Sequence, residues 1–366
     1  MKIFIINQHV SDMLGGSEMQ CDLIAKGLVQ KGHDVVYGAV KPKKDNYTGF
    51  DYKIIPLNIE NKNELLGVLE KEKPDVVYWR FNKHFLKKAV MGCKQEKTPF
   101  VFGVSHINDT KRFVFKGSGQ KGLKFYKILL KQIIISAYNY QAFKHVSAVT
   151  VNNGDHLNKI PVPKQKLIWN AVVKETEEFD WKKDFCLWVA NIKDAKRPEV
   201  FIRVAKKLSF DFPEVDFLMM GAIQQKKYYD VIKQAEKEIP NFHYLGSQKP
   251  EVVNGALKKA KCLVHTCAPE GFPNNFIQAW TQGCPTVSLD FDPDELIKKE
   301  NLGFVSGGED RMKDQVKRLL QDESLRKEIG ERAKKFAKAN FAEERMINEL
   351  EEFLEKVVKE KENESR

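Results

Sequence analysis

Short apolar runs recur along the chain, separated by stretches whose apolar residues fall at helical spacing. The runs 2–6, 35–40, 53–57, 75–79, 99–104, 147–152 and 166–169 occupy the first half. The runs 185–190, 215–221, 242–245, 261–265, 285–289 and 303–306 occupy the second. A strand with one wet face alternates apolar and polar residues. These runs are nearly continuous in apolar residues, as strands covered on both faces must be. Such strands alternating with helices predict an α/β fold of two doubly wound, parallel-sheet (Rossmann-like) domains facing a cleft. The polar, charged stretch 171–184 reads as the linker between domain 1–170 and domain 185–330. From about residue 307 the spacing is helical to the end, and helices over 331–366 are expected to pack back toward the first domain.

Composition narrows the class. With 42% hydrophobic and 30% charged residues in a 366-residue chain, disordered and collagenous classes are excluded. No window of about 18 residues is free of charge, which excludes a spanning helix. The apolar stretch Ile3–Ile6 is too short for a signal peptide, so a cytoplasmic location is expected. Six cysteines (21, 93, 186, 262, 267 and 284) are scattered without a C-x-x-C pair, which predicts reduced thiols rather than zinc or disulfides.

Charge adds a partner class. Residues 1–170 carry 27 Lys+Arg against 14 Asp+Glu, a net of +13, and the rest of the chain nets −2. The excess suggests a polyanionic surface, either nucleic acid or anionic lipid. The stretch 111–145 has eight Lys+Arg and no acid, and Lys124, Lys127 and Lys131 recur at steps of three and four. That pattern fits a helix lying on an anionic membrane; it also fits a core helix whose lysines face water. No RNA- or DNA-binding motif accompanies it, so nucleic acid is not the expected partner.

Candidate chemistry sits just after strands, where open α/β sheets bind ligands. Gly15-Gly16-Ser17-Glu18 follows the first strand and opens a helix, a place where backbone can approach an anion. A Ser N-cap would explain the same residues. Lys196-Arg197-Pro198 follows the first strand of the second half; two cations at a helix start call for a compensating anion such as a diphosphate. A solvated basic turn is the plain alternative. Glu270-Gly271-Phe272-Pro273-Asn274 follows the run 261–265 and leads at once into a helix carrying Gln278. Such a loop can aim a carboxylate and backbone N–H groups at a sugar, with Gln278 one turn on for ribose hydroxyls. A capped helix with an exposed Glu is the plain alternative. His106, with Asp109 close behind, follows run 99–104 and could act as acid, base or ligand group. Asp290, Asp292 and Asp294 form an aspartate run that fits a polar post-strand loop, and no metal is expected there.

Together EGFPNNFIQAW, GCPTVSLDFDPD, the KRPE turn and the GGSE loop make the chain resemble glycosyltransferase family 4, which has the GT-B fold. The resemblance is strongest over about 184–310. It implies a retaining glycosyltransferase of the hexosyltransferase class, using a nucleotide-diphosphate sugar without metal or cofactor. Glu270 matches the first Glu of the family's Glu-x7-Glu motif, and Gln278 stands where the second Glu is usual. Lys196 matches the lysine that neutralises the leaving diphosphate. Asn191 stands where Arg is common, and Arg197 is positioned to compensate. His106 stands where the family often has a cleft histidine. The family implies a glycan or lipid-linked acceptor, polysaccharide biosynthesis, and work in the cytoplasm at the membrane face. A GT-B nucleotide-sugar epimerase is the alternative enzyme, and a nucleic-acid-binding protein the alternative outside enzymes.

Overall fold

The computed structural model describes residues 1–115, 122–267 and 270–365. It divides into two compact units: residues Met1–Asn170 with Glu343–Arg366, and residues Ala171–Ala342. Of the basic stretch 111–145, residues 116–121 lie outside the described residues.

Unit 1 carries a seven-stranded sheet in the order β3-β2-β1-β4-β5-β6-β7. Its strands are β1 (Lys2–Asn7), β2 (Asp34–Val40), β3 (Lys53–Leu57), β4 (Val76–Trp79), β5 (Phe100–Val104), β6 (Ala148–Val151) and β7 (Gln165–Leu167). Every pairing is parallel. Parallel pairing demands crossovers, and helices α1 (Gly16–Gln30), α2 (Lys62–Glu72), α3 (Leu86–Gln95) and α4 (Leu123–Tyr140) lie between the strands. Residues 76–79 and 100–104 are buried throughout, as their unbroken apolar runs require. Pro56 is tolerated in β3 because that strand is an edge, bonded only to β2.

Unit 2 carries six parallel strands in the order β10-β9-β8-β11-β12-β13. They are β8 (Asp184–Val189), β9 (Val215–Met220), β10 (Phe242–Tyr244), β11 (Cys262–His265), β12 (Thr286–Ser288) and β13 (Gly303–Val305). Helices α5 (Pro198–Ser209), α6 (Lys227–Glu238), α7 (Pro250–Lys259), α8 (Asn274–Gln282), α9 (Leu296–Lys299), α10 (Glu309–Gln321) and α11 (Glu323–Asn340) belong to it. All thirteen apolar runs are strands.

The segment read as a linker lies along unit 2. Asn254 donates from Nδ2 to the carbonyls of Val173 and Glu175, 2.8 Å each, and Trp181 Nε1 donates to Asp216 at 2.8 Å. The C-terminal helical region is interrupted where Asp322 caps α11, its carboxylate accepting from Leu325 N at 2.8 Å. Helix α11 stays with unit 2, and α12 (Glu343–Ser365) belongs to unit 1. There Glu351 takes Lys31 Nζ and His33 Nε2, each at 2.7 Å. All six cysteines are free and buried. Among the described residues, no helix is long and apolar enough to cross a membrane.

Candidate active site

In sheet order β10-β9-β8-β11-β12-β13 the chain direction of winding reverses between β8 and β11. A crevice opens at the carboxyl ends of two such strands, because their following loops depart to opposite sides. The loop after β8 carries Asn191, Lys196 and Arg197, and the loop after β11 carries Thr266, Cys267 and Glu270. The two motifs picked out from the sequence therefore meet at this reversal.

Their contact is an ion pair between Lys196 Nζ and Glu270 Oε1. Both side chains are mostly buried, Lys196 20% and Glu270 14% exposed. Burial opposes the charge on Lys196, but Glu270 and Cys267 outweigh it and hold the ammonium pKa above its usual value. Cys267 is pushed up to about 12 and His265 down to about 3, both by burial. The backbone is held from beneath: Trp188 Nε1 donates to Thr266 Oγ1 (2.9 Å), which donates to the Lys196 carbonyl (2.7 Å).

Arg197 has left-handed backbone angles (φ 47°, ψ 52°) and precedes Pro198, the first residue of α5. A non-glycine residue there is strained, and such strain concentrates at functional sites. Its Nε donates to the Thr266 carbonyl (2.6 Å) and one terminal nitrogen to Asp290 (2.8 Å). The other terminal nitrogen is buried with no hydrogen-bond partner. One buried guanidinium donor is thus left unmatched next to the N-terminus of α5.

The Gly271–Asn274 loop turns into α8 with Pro273 as its N-cap. Phe272, one of the loop residues expected to bind substrate, is 5% exposed and packs on Trp280 and Phe341, with ring centroids 6.3 and 5.5 Å apart. It anchors the loop. Asn275 Nδ2 donates to the Val189 carbonyl (2.8 Å), tying α8 to the end of β8. Gln278 is buried, and its Nε2 donates to Asn254 Oδ1 at 2.9 Å. Its amide therefore braces α8 against α7. Gly221, which the sequence reading missed, ends β9 at φ +142°; a Cβ there would stand 1.8 Å from the Ala190 carbonyl oxygen. Its signal was a glycine closing the apolar run 215–221.

The three aspartates do separate jobs. Asp290 pairs Arg197, and Asp292 accepts from the Ile297 and Lys298 amides at 2.8 and 3.3 Å, capping α9. Asp294 sits at φ 54°. Among the described residues, His265, Cys267 and Glu270 could share a metal, their ligand atoms lying within 4.8 Å. Glu270 is already paired with the Lys196 ammonium.

Gly15, Gly16 and His106 belong to unit 1. Gly15 is the N-cap of α1, and a Cβ on it would stand 2.3 Å from Glu18 Oε2. Ser17 is not the cap; its Oγ accepts from Asn7 Nδ2 at 3.1 Å. His106 follows β5, and its Nδ1 accepts from the Asn108 amide at 3.1 Å. In the neutral ring this puts the proton on Nε2, which suits donation to a hydroxyl. Asp109 is buried and accepts from the Ser105 and His106 amides (3.1 and 2.9 Å). Burial raises its pKa, and burial lowers that of nearby Lys83 to about 8.

Residues 172–336 match the model for glycosyl transferases group 1, and residues 14–175 that for glycosyltransferase family 4. No curated protein matches the chain in sequence. Anabaena HepE, solved with UDP and glucose, is 15% identical with a TM-score of 0.72, covering 97% of this chain and 100% of its own. Sucrose-phosphate synthase from Thermosynechococcus elongatus is 12% identical with a TM-score of 0.78, covering 97% and 98%. A variant of S. aureus TarM, solved with fondaparinux, α-GlcNAc-glycerol and UDP, is 13% identical with a TM-score of 0.68, covering 96% and 99%. With two parallel-sheet units, basic and acidic motifs meeting at the sheet reversal, and family matches running from residue 14 to residue 336, the chain belongs to glycosyltransferase family 4 and is a nucleotide-sugar-dependent glycosyltransferase of GT-B fold.

Proposed function

We propose that this enzyme transfers a hexose from a nucleotide-diphosphate sugar to a glycan or lipid-linked acceptor with retention of anomeric configuration. The observation that carries the reading is the Lys196–Glu270 ion pair beside the spare Arg197 nitrogen at the strand reversal. Lys196 exchanges Glu270 for a phosphate oxygen when the donor binds. Glu270, released, accepts hydrogen bonds from sugar hydroxyls. Arg197 and the N-terminus of α8, with backbone N–H groups of Gly271 and Asn274, share the diphosphate charge. Gly15, Gly16 and His106 are the residues of unit 1 we assign to substrate binding, His106 as a donor to a hydroxyl.

In the reaction the C1–O bond to the diphosphate breaks and a C1–O bond to the acceptor forms. The acceptor proton passes to the departing phosphate oxygen. Lys196 and Arg197 stabilise the charge that develops on the leaving group, which is where fixed cations accelerate most. Position 278 holds an amide rather than a carboxylate, which favours this same-face route over a covalent intermediate on that residue. Neighbouring folds bear on the donor: HepE is solved with UDP and glucose, and TarM with UDP. The basic unit 1 favours work in the cytoplasm at an anionic membrane surface, in polysaccharide biosynthesis.

The test is a panel of UDP- and GDP-sugars screened by calorimetry, then transfer with the donor that binds. The anomeric configuration of the product, read by NMR, is expected to match the donor. Inversion would overturn the retaining reading. Turnover of the sugar without acceptor, to an epimer, would favour the epimerase.

A further inference from the structure

Fourteen large hydrophobic side chains are exposed among the described residues, and eight of them lie between Phe113 and Tyr138. Leu123 is 73% exposed, and Leu130 and Ile134 are 59% each. At 100° per residue these three point within about 40° of one another along α4. Lys124, Lys127 and Lys131 are exposed and flank one side of that stripe. The opposite face is the packed one. Asn139 is buried there and accepts from the Lys87 amide at the start of α3 (3.2 Å). Just before α4, the rings of Phe113 and Phe115 stack with centroids 6.5 Å apart, and Phe115 is 57% exposed.

The sequence left two readings of this helix: a membrane-surface helix, or a core helix with lysines in water. In the second, the aliphatic residues would be inside. Leu123, Leu130 and Ile134 are instead outside, beside the lysines, while Ile128, Leu129, Ile133 and Ile135 are half-buried. We infer that the outer face of α4, with Phe113 and Phe115, is a docking surface for an anionic lipid bilayer, the helix lying in the plane with its aliphatic stripe inserted and its lysines at the lipid phosphates. The inference deepens the membrane part of the proposed function and rests on it.

Three observations choose the occupant. No Asp or Glu lies between Asp109 and Asp155, so the surface complements negative charge alone. A second copy meeting this face about a two-fold axis would set lysine against lysine. A polyanion bound through its phosphates would leave Leu123, Leu130 and Ile134 in water, whereas a bilayer takes both the apolar stripe and the charges. The stripe also makes binding more than electrostatic, so part of it survives screening.

The test is co-sedimentation of the full chain with vesicles of phosphatidylcholine alone or mixed with phosphatidylglycerol, at low salt and at about 0.5 M salt. Wild type is expected to bind the mixed vesicles and to keep part of that binding at high salt. K124Q/K127Q/K131Q should weaken binding at low salt about a hundredfold, since each lysine near such a surface contributes about fivefold. L123S/L130S/I134S should abolish the salt-resistant part. Both triples replace exposed residues, and a thermal melt matching wild type checks the fold. Wild type that ignores anionic vesicles, binding reversed completely by salt and unchanged in the aliphatic triple, or dimerisation lost in that triple would each overturn the inference. Preference for duplex nucleic acid over vesicles would overturn it too. UDP binding by calorimetry reads the unit 2 site independently, so failure on vesicles leaves the glycosyltransferase reading standing.

Discussion

Removing one partner of the Lys196–Glu270 pair at a time should separate their roles. In K196M the diphosphate loses a charge-assisted hydrogen bond from a mostly buried cation. Such bonds contribute about 1.5–3 kcal/mol, so UDP affinity should fall about 10- to 150-fold. In E270Q the result should invert. A carboxylate about 4 Å from a phosphate charge costs about 4 kcal/mol at an effective dielectric of 20, and solvent at the open crevice screens much of it. A surviving third, about 1.4 kcal/mol, is a tenfold gain. UDP should therefore bind E270Q as well as or better than wild type, while transfer drops at least tenfold because the sugar loses its carboxylate. Calorimetry with UDP and initial-rate transfer, run on both variants, give the two readings. If E270Q loses UDP affinity as severely as K196M, the pair is a structural brace and the assignment of Glu270 to the sugar fails.

Phe272→Ala should destabilise unit 2 by about 3–5 kcal/mol in urea unfolding, because the ring fills an aromatic core beside Trp280 and Phe341; an unchanged midpoint would place the ring in the substrate site after all. His156 is buried, and burial lowers its pKa to about 4. Its neutral form is native, so its contribution is intact above the unfolded value near 6.5 and lost as pH falls from there toward 4. Between pH 7 and 5 that loss is about 2 kcal/mol, and His156→Gln should shrink the measured difference by that amount. Added EDTA should leave transfer unchanged, since Lys196 already supplies the cation beside Glu270; loss of activity restored by magnesium or manganese would count against the metal-free mechanism.

The strands were legible because parallel strands buried on both faces leave an unbroken apolar signature, as in residues 76–79 and 100–104. That both motifs follow strands was legible too; the pairing of β8 with β11, which brings Lys196 to Glu270, came from the structure. Side-chain destinations were less so. Phe272 sits in a Gly-Pro loop that looks exposed, and Trp280 of α8 together with Phe341, from a distant helix end, buries it. Gln278 lies at ribose-binding spacing, yet its amide reaches Asn254 on another helix. The unit boundary near residue 342 is set by the docking of α12 on α1, through His33 and Glu351, residues 318 apart in sequence. Helical spacing marks an apolar face without saying whether protein covers it, which is why α4 stayed ambiguous until its exposure was known.

In the proposed function the β8–β11 reversal holds the donor diphosphate. A crystal structure of the enzyme with UDP tests it most directly. Phosphate oxygens are expected within hydrogen-bond distance of Lys196 Nζ and the spare Arg197 nitrogen, with Glu270 released from Lys196. A nucleotide bound elsewhere, with the Lys196–Glu270 pair intact, would contradict it.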